Sequence, residues 1–370
     1  MKAMPKRLSV HMGWIAACAS LMAFAPLVHS KPEQKQLGYL TPAASGEGFH
    51  FAHHDWEVAC DNTRTCRAAG YHADSDELKV SALFTRTAGP GTAIQGELKI
   101  GQYGDDPVVD KLPAQFDLSL RINGQPFGNI KLSGLHGELS DEQVTAMLRA
   151  MSGNSRIEFL YQQHRWRLSD SGAAAVMLKM DEFQGRVGTP GALIRKGARN
   201  EQSVRPPVGV RVLLAPPLPS PKAGDEQFIA RHTPSLFAAL RKTTDRDSCP
   251  RLFEKSTDSA MLRVTRLSES QMVVTAVCQL YAYNVGGMVW IIRTEPPFNP
   301  RVTPVEATEL SGNQMLVRMK GRGLGDCWSL DDWTWNGKDF VHTLSSTTGM
   351  CKLMEPGGAW GLPVWITEVR

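Results

Sequence analysis

Three groups of residues have types and spacings that could do chemistry. His50, His53 and His54 stand just before Asp55, and imidazoles beside a carboxylate form a donor set for a borderline metal ion. No cysteine or further carboxylate stands at ligand spacing from them. The preferred reading is a solvated segment within a flexible leader, with no metal bound. Asp326 abuts Cys327, and Arg322 lies four residues upstream, a setting that would activate a free thiol. The third group is aromatic. Six of the nine tryptophans, Trp290, Trp328, Trp333, Trp335, Trp360 and Trp365, lie in the second half of the chain. Indole faces stack on sugars or anchor protein partners. Arg322, Asp326, Trp328, Trp333 and Trp335 therefore form the candidate binding surface, weighed against a plain Trp-rich core.

Other chemistry finds less support. The run Gly321-Arg322-Gly323-Leu324-Gly325 lacks the lysine and following helix of a phosphate loop, and its glycines read as turn residues. No Gly-x-Ser-x-Gly elbow marks a nucleophile. No catalytic residue is assigned and no cofactor is implied.

The N-terminus gives an address. Lys2, Lys6 and Arg7 precede an uncharged apolar stretch from Ile15 to Val28, the layout of a secretory signal. Cleavage is expected after Ser30, because Lys31-Pro32-Glu33 restores polarity. The alternative is a lipoprotein box, Ile15-Ala16-Ala17-Cys18, which would leave a lipid on Cys18. No later apolar segment has the roughly 20 residues needed to span a bilayer. The expected location is the periplasm.

Three of the positive charges lie in the signal, so a formal net charge of +4 falls to +1 in the mature chain. Such a surface gives no electrostatic case for nucleic acid. Seven cysteines become six once Cys18 is set aside: Cys60, Cys66, Cys249, Cys278, Cys327 and Cys351. An even number in an exported chain reads as disulfides. Nearest-neighbour pairing gives Cys60–Cys66, Cys249–Cys278 and Cys327–Cys351. Loop entropy credits the short bridge with about 2.4 kcal/mol and each longer one with about 3.5 kcal/mol.

The elements that must carry these residues are mostly strands, and at 370 residues the chain has room for two domains. After the signal (1–30) and leader (31–48), an N-terminal β domain is expected over 49–187. Alternation predicts strands at 55–60, 66–71, 78–85, 93–100, 116–122 and 157–161, with a turn at Asn123-Gly124. Ser140 and Gln143 form a capping box before a helix at 141–151, and a second helix is expected over 172–184. Prolines cluster in 188–224, read as a semi-rigid linker. A C-terminal Trp-rich β domain (225–370) follows. Thr233 and Pro234 are expected to start its helix at 234–241, and strands are expected at 261–267, 271–277, 289–292 and 315–319. Asn336-Gly337 predicts a type I′ hairpin. The fold class is mainly β: two sandwich-like β-sheet domains with a few short helices, stapled by disulfides.

Several long motifs are familiar. They are Asp55-Trp56-Glu57-Val58-Ala59-Cys60, Lys179-Met180-Asp181-Glu182-Phe183-Gln184-Gly185-Arg186, the Gly321–Trp328 run, Thr348-Gly349-Met350-Cys351-Lys352 and Pro356-Gly357-Gly358-Ala359-Trp360. Together they resemble an exported bacterial family designated domain of unknown function 1176. The first domain also resembles the invasion-associated locus B family, through its Trp-x-x-x-Cys strand and Leu168-Ser169 leading to Gly172. The resemblance implies an exported β architecture and no reaction. The residues favour a non-catalytic envelope protein that binds a glycan or another exported protein. An envelope hydrolase assembled only in the fold, and an inhibitor of a host defence enzyme, are the alternatives.

Overall fold

A computed structural model describes residues 48–254, 261–307 and 309–370. The signal, its cleavage site, Cys18 and nearly all of the leader lie outside the described residues. No described helix is long and apolar enough to cross a membrane.

Strands dominate, as the alternation predicts. In the first half they are β1 (Phe49–His53), β2 (Trp56–Cys60), β3 (Cys66–Tyr71), β4 (Val80–Arg86), β5 (Ile94–Ile100), β6 (Gln115–Ile122), β7 (Gln125–Ser133), β8 (His136–Leu139), β9 (Ile157–Tyr161) and β10 (His164–Leu168). They pair in one antiparallel sheet, ordered β1-β2-β3-β4-β5-β8-β7-β6-β9-β10. The sheet curls back on itself. Ser169, just past β10, donates its N–H to Tyr71 O (3.0 Å), and its own carbonyl accepts from Trp56 Nε1 (2.7 Å). Trp56, Phe84, Leu98, Leu118, Phe159 and Trp166 fill the concave side. Helices α1 (Asp141–Ala150) and α2 (Ala173–Gln184) close that core with Val144, Met147, Met177 and Met180. The capping box of α1 is present in both directions.

Residues 188–208 run against the first sheet, where Val208 N–H donates to Thr63 O. Then β11 (Arg211–Leu213) pairs in parallel with the last strand, β20 (Leu362–Val369). Helix α3 (Phe228–Arg241) leads into a four-stranded sheet of β12 (Leu262–Arg266), β13 (Gln271–Leu280), β14 (Val285–Arg293) and β15 (Arg301–Val302). A six-stranded sheet adds β16 (Glu309–Ser311), β17 (Gln314–Lys320), β18 (Trp328–Trp335) and β19 (Phe340–Thr347), in the order β11-β20-β19-β18-β17-β16. The four-stranded sheet is the middle layer. One face, with Val274, Trp290 and Ile292, meets Leu236, Phe237 and Leu240 of α3. The other, with Val273, Val289 and Ile291, meets Met315, Trp335 and Phe340 of the six-stranded sheet. Disulfides join Cys60–Cys66, Cys249–Cys278 and Cys327–Cys351.

Three local expectations are corrected. The histidine segment is not a flexible leader: His50 and His53 lie in β1, which pairs with β2 along its whole length. Helix α3 starts at Phe228, so Pro234 is internal, and Thr233 Oγ1 donates to Ile229 O (2.6 Å) instead of capping. Burial of Phe228, Leu236, Phe237 and Leu240 on one stripe outweighs the hydrogen bond that proline forfeits. At Asn336-Gly337 only the glycine has positive φ (97°), so the turn is not type I′, which needs both central residues there. Asn336 Oδ1 instead accepts from the N–H groups of Lys338 and Asp339. At Asn123-Gly124 both φ values are positive (52° and 83°), as type I′ requires.

Candidate functional site

Asp326 is wholly buried and fully engaged. Arg322 clamps it with Nε to Oδ1 (2.7 Å) and Nη2 to Oδ2 (2.5 Å), while Leu353 N–H donates to Oδ2 (2.8 Å). The carboxylate and the sulfurs of Cys327 and Cys351 lie within 4.8 Å of one another. Both sulfurs are spent in a disulfide, so the group does not fit a metal ion. The arrangement is a clamp holding the bridge and the loop after it against the first sheet.

That loop is the main polar junction between the two halves. Lys352 Nζ donates to Asp55 Oδ1 (2.7 Å) and Asp74 Oδ1 (2.6 Å), and Ser169 Oγ donates to the other Asp55 oxygen. Met350 N–H donates to the Tyr71 hydroxyl, which itself donates to Glu57 Oε1, and His50 Nε2 contacts Glu57 Oε2 at 3.0 Å. Burial, then Glu57, pushes the Tyr71 hydroxyl well above its ordinary pKa, so it stays a neutral donor. Gly349 has φ 92°, and a Cβ there would stand 2.2 Å from the Tyr71 oxygen. Glycine is required by conformation and by space.

The three histidines do not converge. His50 and His53, three apart in β1, project to opposite sides, and His54 follows His53 with rings 4.2 Å apart.

These ion pairs set a sign for pH dependence. Burial alone would raise the Asp326 carboxyl, but Arg322 and the Leu353 N–H outweigh it and leave it below 3.8. Asp74 is lowered too, through its hydrogen bond to Lys352. A depressed carboxylate stabilises the fold above its unfolded pKa and loses that contribution as pH falls through the folded value. Buried Asp181 is raised and opposes this trend. We expect urea unfolding from roughly pH 5 to pH 2 to show stability falling below about pH 4, with a shallower fall in Asp326→Asn. An equal slope in both proteins would contradict the clamp.

The tryptophans are divided. Trp290, Trp335 and Trp360 are buried. Trp328 and Trp333 are half-buried, five residues apart in β18, and so project from opposite faces of the sheet. Trp328 carries Lys320 Nζ over its ring (5.3 Å) and donates to Gly325 O. Trp333 stacks on His342 with centroids 4.7 Å apart. His342 Nε2 pairs with Asp331 Oδ1 at 2.8 Å. Ser345 lies opposite Asp331 on that face, but no hydrogen bond joins it to His342, so the three do not form a relay.

The opposite face of the six-stranded sheet brings together residues that the sequence reading did not single out. Register places Gln314 beside Thr334, Leu316 beside Asp332, Asp332 beside Leu344, and Leu344 beside Ile366. A cleft of about 250 Å³ opens there, lined by Gln314, Asp332, Thr343, Leu344, Ile366, Thr367 and Val369. Gln314 Nε2 donates to Thr334 Oγ1, which shares a hydrogen bond with Thr343 Oγ1. The period-two run Gln314-x-Leu316-x-Arg318-x-Lys320 is visible in sequence; its partners on β18 to β20 need the register.

No solved structure matches the chain. A relative from Escherichia coli (strain K12), named uncharacterized protein YpfG, is 24% identical over 345 residues, covering 85% of this chain and 92% of that protein. From residue 50 to residue 368, which takes in both halves and nearly all of β1 through β20, the chain matches the family described as protein of unknown function (DUF1176), and it belongs to that family.

Proposed function

We propose that this is a periplasmic, non-catalytic binding protein of the bacterial envelope, exported by its N-terminal signal and engaging its partner through the second half of the chain. The observation that carries the reading is the uncovered face of the six-stranded sheet. Leu316, Leu330, Leu344 and Ile366, on four different positions of β17 to β20, remain half-buried, with hydrogen-bonding side chains between them. Apolar groups left together at a surface mark interaction sites. By contrast β2 is buried on both faces, its outer side covered by Met354, Ala359, Trp360 and Leu362. Three disulfides suit an oxidising compartment. The working partner is an envelope glycan.

The test is titration with a solubilised cell-wall digest, followed by intrinsic tryptophan fluorescence. Trp328 shares the uncovered face, so a saturable change is expected in wild type and in Trp333→Phe, and a much smaller one in Trp328→Phe. A flat wild-type response would overturn the reading.

A further inference from the structure

We infer that the cleft across β17 to β20 is a saccharide subsite in which Asp332 accepts a hydrogen bond from a ligand hydroxyl. The inference rests on the binding reading above and gives its ligand a chemistry. Three observations lead to it.

The first is the lining. Leu344, Ile366 and Val369 supply an apolar wall, and Gln314, Asp332, Thr343 and Thr367 supply donors and acceptors. A sugar ring has this mixed character, with a C–H face and a hydroxyl rim, and a small site is built from an apolar wall with a few placed polar groups. At about 250 Å³ the cleft suits one or two rings of a longer chain.

The second is an acceptor without an aligned donor. Asp332 Oδ1 lies 2.5 Å from Arg318 Nη1, a close pair by charge. That nitrogen also donates to the Val317 and Asp331 carbonyls (2.9 and 3.4 Å). Oδ1 is buried beyond a ligand's reach, whereas Oδ2 is not buried, accepts no hydrogen bond from a described residue and belongs to the cleft lining. Charge is balanced at Asp332 while its hydrogen bonding is not. A neutral hydroxyl donor completes such a site, whereas a second anion would meet the carboxylate.

The third is pre-organisation. Thr343 Oγ1 donates to Asp332 O (3.1 Å) and shares a hydrogen bond with Thr334 Oγ1 (3.0 Å), so a buried ladder fixes the cleft floor at the β19 irregularity. A site built to pair hydroxyls rejects an analogue that lacks them, because its own polar groups are then left unpaired.

The experiment is isothermal titration of the full chain with a β-1,4-linked N-acetylglucosamine tetramer and with the same tetramer fully O-methylated, alongside the cell-wall digest. Wild type is expected to bind the free tetramer and not the methylated one. Asp332→Asn and the milder Gln314→Ala, on a half-buried residue, are each expected to weaken it by about tenfold. Thermal melts check that both variants are folded; should Asp332→Asn not fold, Gln314→Ala carries the test. Equal binding of the two tetramers, or unchanged affinity in the folded variants, overturns the saccharide assignment. The same holds if wild type responds to the digest but not to the tetramer, and then the binding reading stands while the ligand class falls. No response to any ligand removes both.

Discussion

Trp360→Ala is expected to destabilise the protein by about 3–5 kcal/mol, the range for emptying a buried indole site. Trp360 is 7% exposed and packs with Ala59, Ala69 and Leu83 on the outer face of the first sheet. Its Nε1 donates to Ser81 Oγ (2.7 Å), which passes the bond on to Gly70 O. Lys99 Nζ sits 4.9 Å over the ring while donating to Glu355 Oε1 and Ala359 O. Removing the ring therefore uncovers the back of β2 to β4 and takes away the aromatic face beneath Lys99. The second consequence is in cooperativity. Because this contact joins residues 279 apart in sequence, denaturant unfolding followed by near-UV and far-UV circular dichroism is expected to separate into two transitions in the variant. Trp360→Phe keeps most of the packing and loses only the Nε1 bond, so its cost is expected near 1 kcal/mol. A cost below that for Trp360→Ala, with one coincident transition, would show that the loop is not what ties the halves together.

What could be read in the sequence depended on how far each interaction reaches. The capping box of α1, the Asn123-Gly124 turn and the staple between directly paired Cys60 and Cys66 are local, and each follows from a few adjacent residues. The strand alternation at 55–60 was legible too, but it implied one wet face. The structure buries all five residues of β2, because residues from the far end of the chain cover Ala59, and no period of two carries that information. The motifs around Gly321–Trp328 and Thr348–Lys352 stood out in sequence, and Arg322 and Asp326 do meet, yet as a buried clamp beside a disulfide. Proximity along the chain groups the tryptophans of β18, whereas the pleat places Trp328 and Trp333 on opposite faces. The cleft was invisible for a related reason: Gln314, Asp332 and Thr343 come from three strands, and the irregularity that admits Thr343 exists only in the pairing.

Arg186→Met is expected to cost about 3–5 kcal/mol, as for removing one partner of a buried ionic network. The Arg186 side chain is completely buried. Its Nε donates to Gln184 Oε1 (2.8 Å), and its Nη2 reaches Gly89 O, Thr92 Oγ1 and Thr87 O (2.7, 2.7 and 3.2 Å). Nη1 pairs with Glu201 at 3.3 Å. Burial, and next the neighbouring Arg86, pulls its pKa down to about 10, so the guanidinium remains charged at neutral pH and is held by these acceptors. Methionine matches the stem but leaves buried Gln184 Oε1 without its donor, and leaves the Thr87 and Gly89 carbonyls to the Thr92 hydroxyl alone. It also leaves Asp181, whose Oδ1 has no hydrogen-bond partner, facing Arg86 alone at 3.9 Å. Lysine supplies one compact charge where a planar fork met several acceptors, so Arg186→Lys is expected to recover only part of the loss. The network docks residues 186–205 against β4, and hydrogen exchange is the direct readout. Protection at the Leu193 and Ile194 amides, which donate to Asp181 Oδ2 (2.6 and 3.2 Å), is expected to drop in Arg186→Met, while that of Leu118 and Phe159 in the core of the same sheet falls less. Uniform loss across both sets would mean that Arg186 supports the whole β core and not this segment in particular.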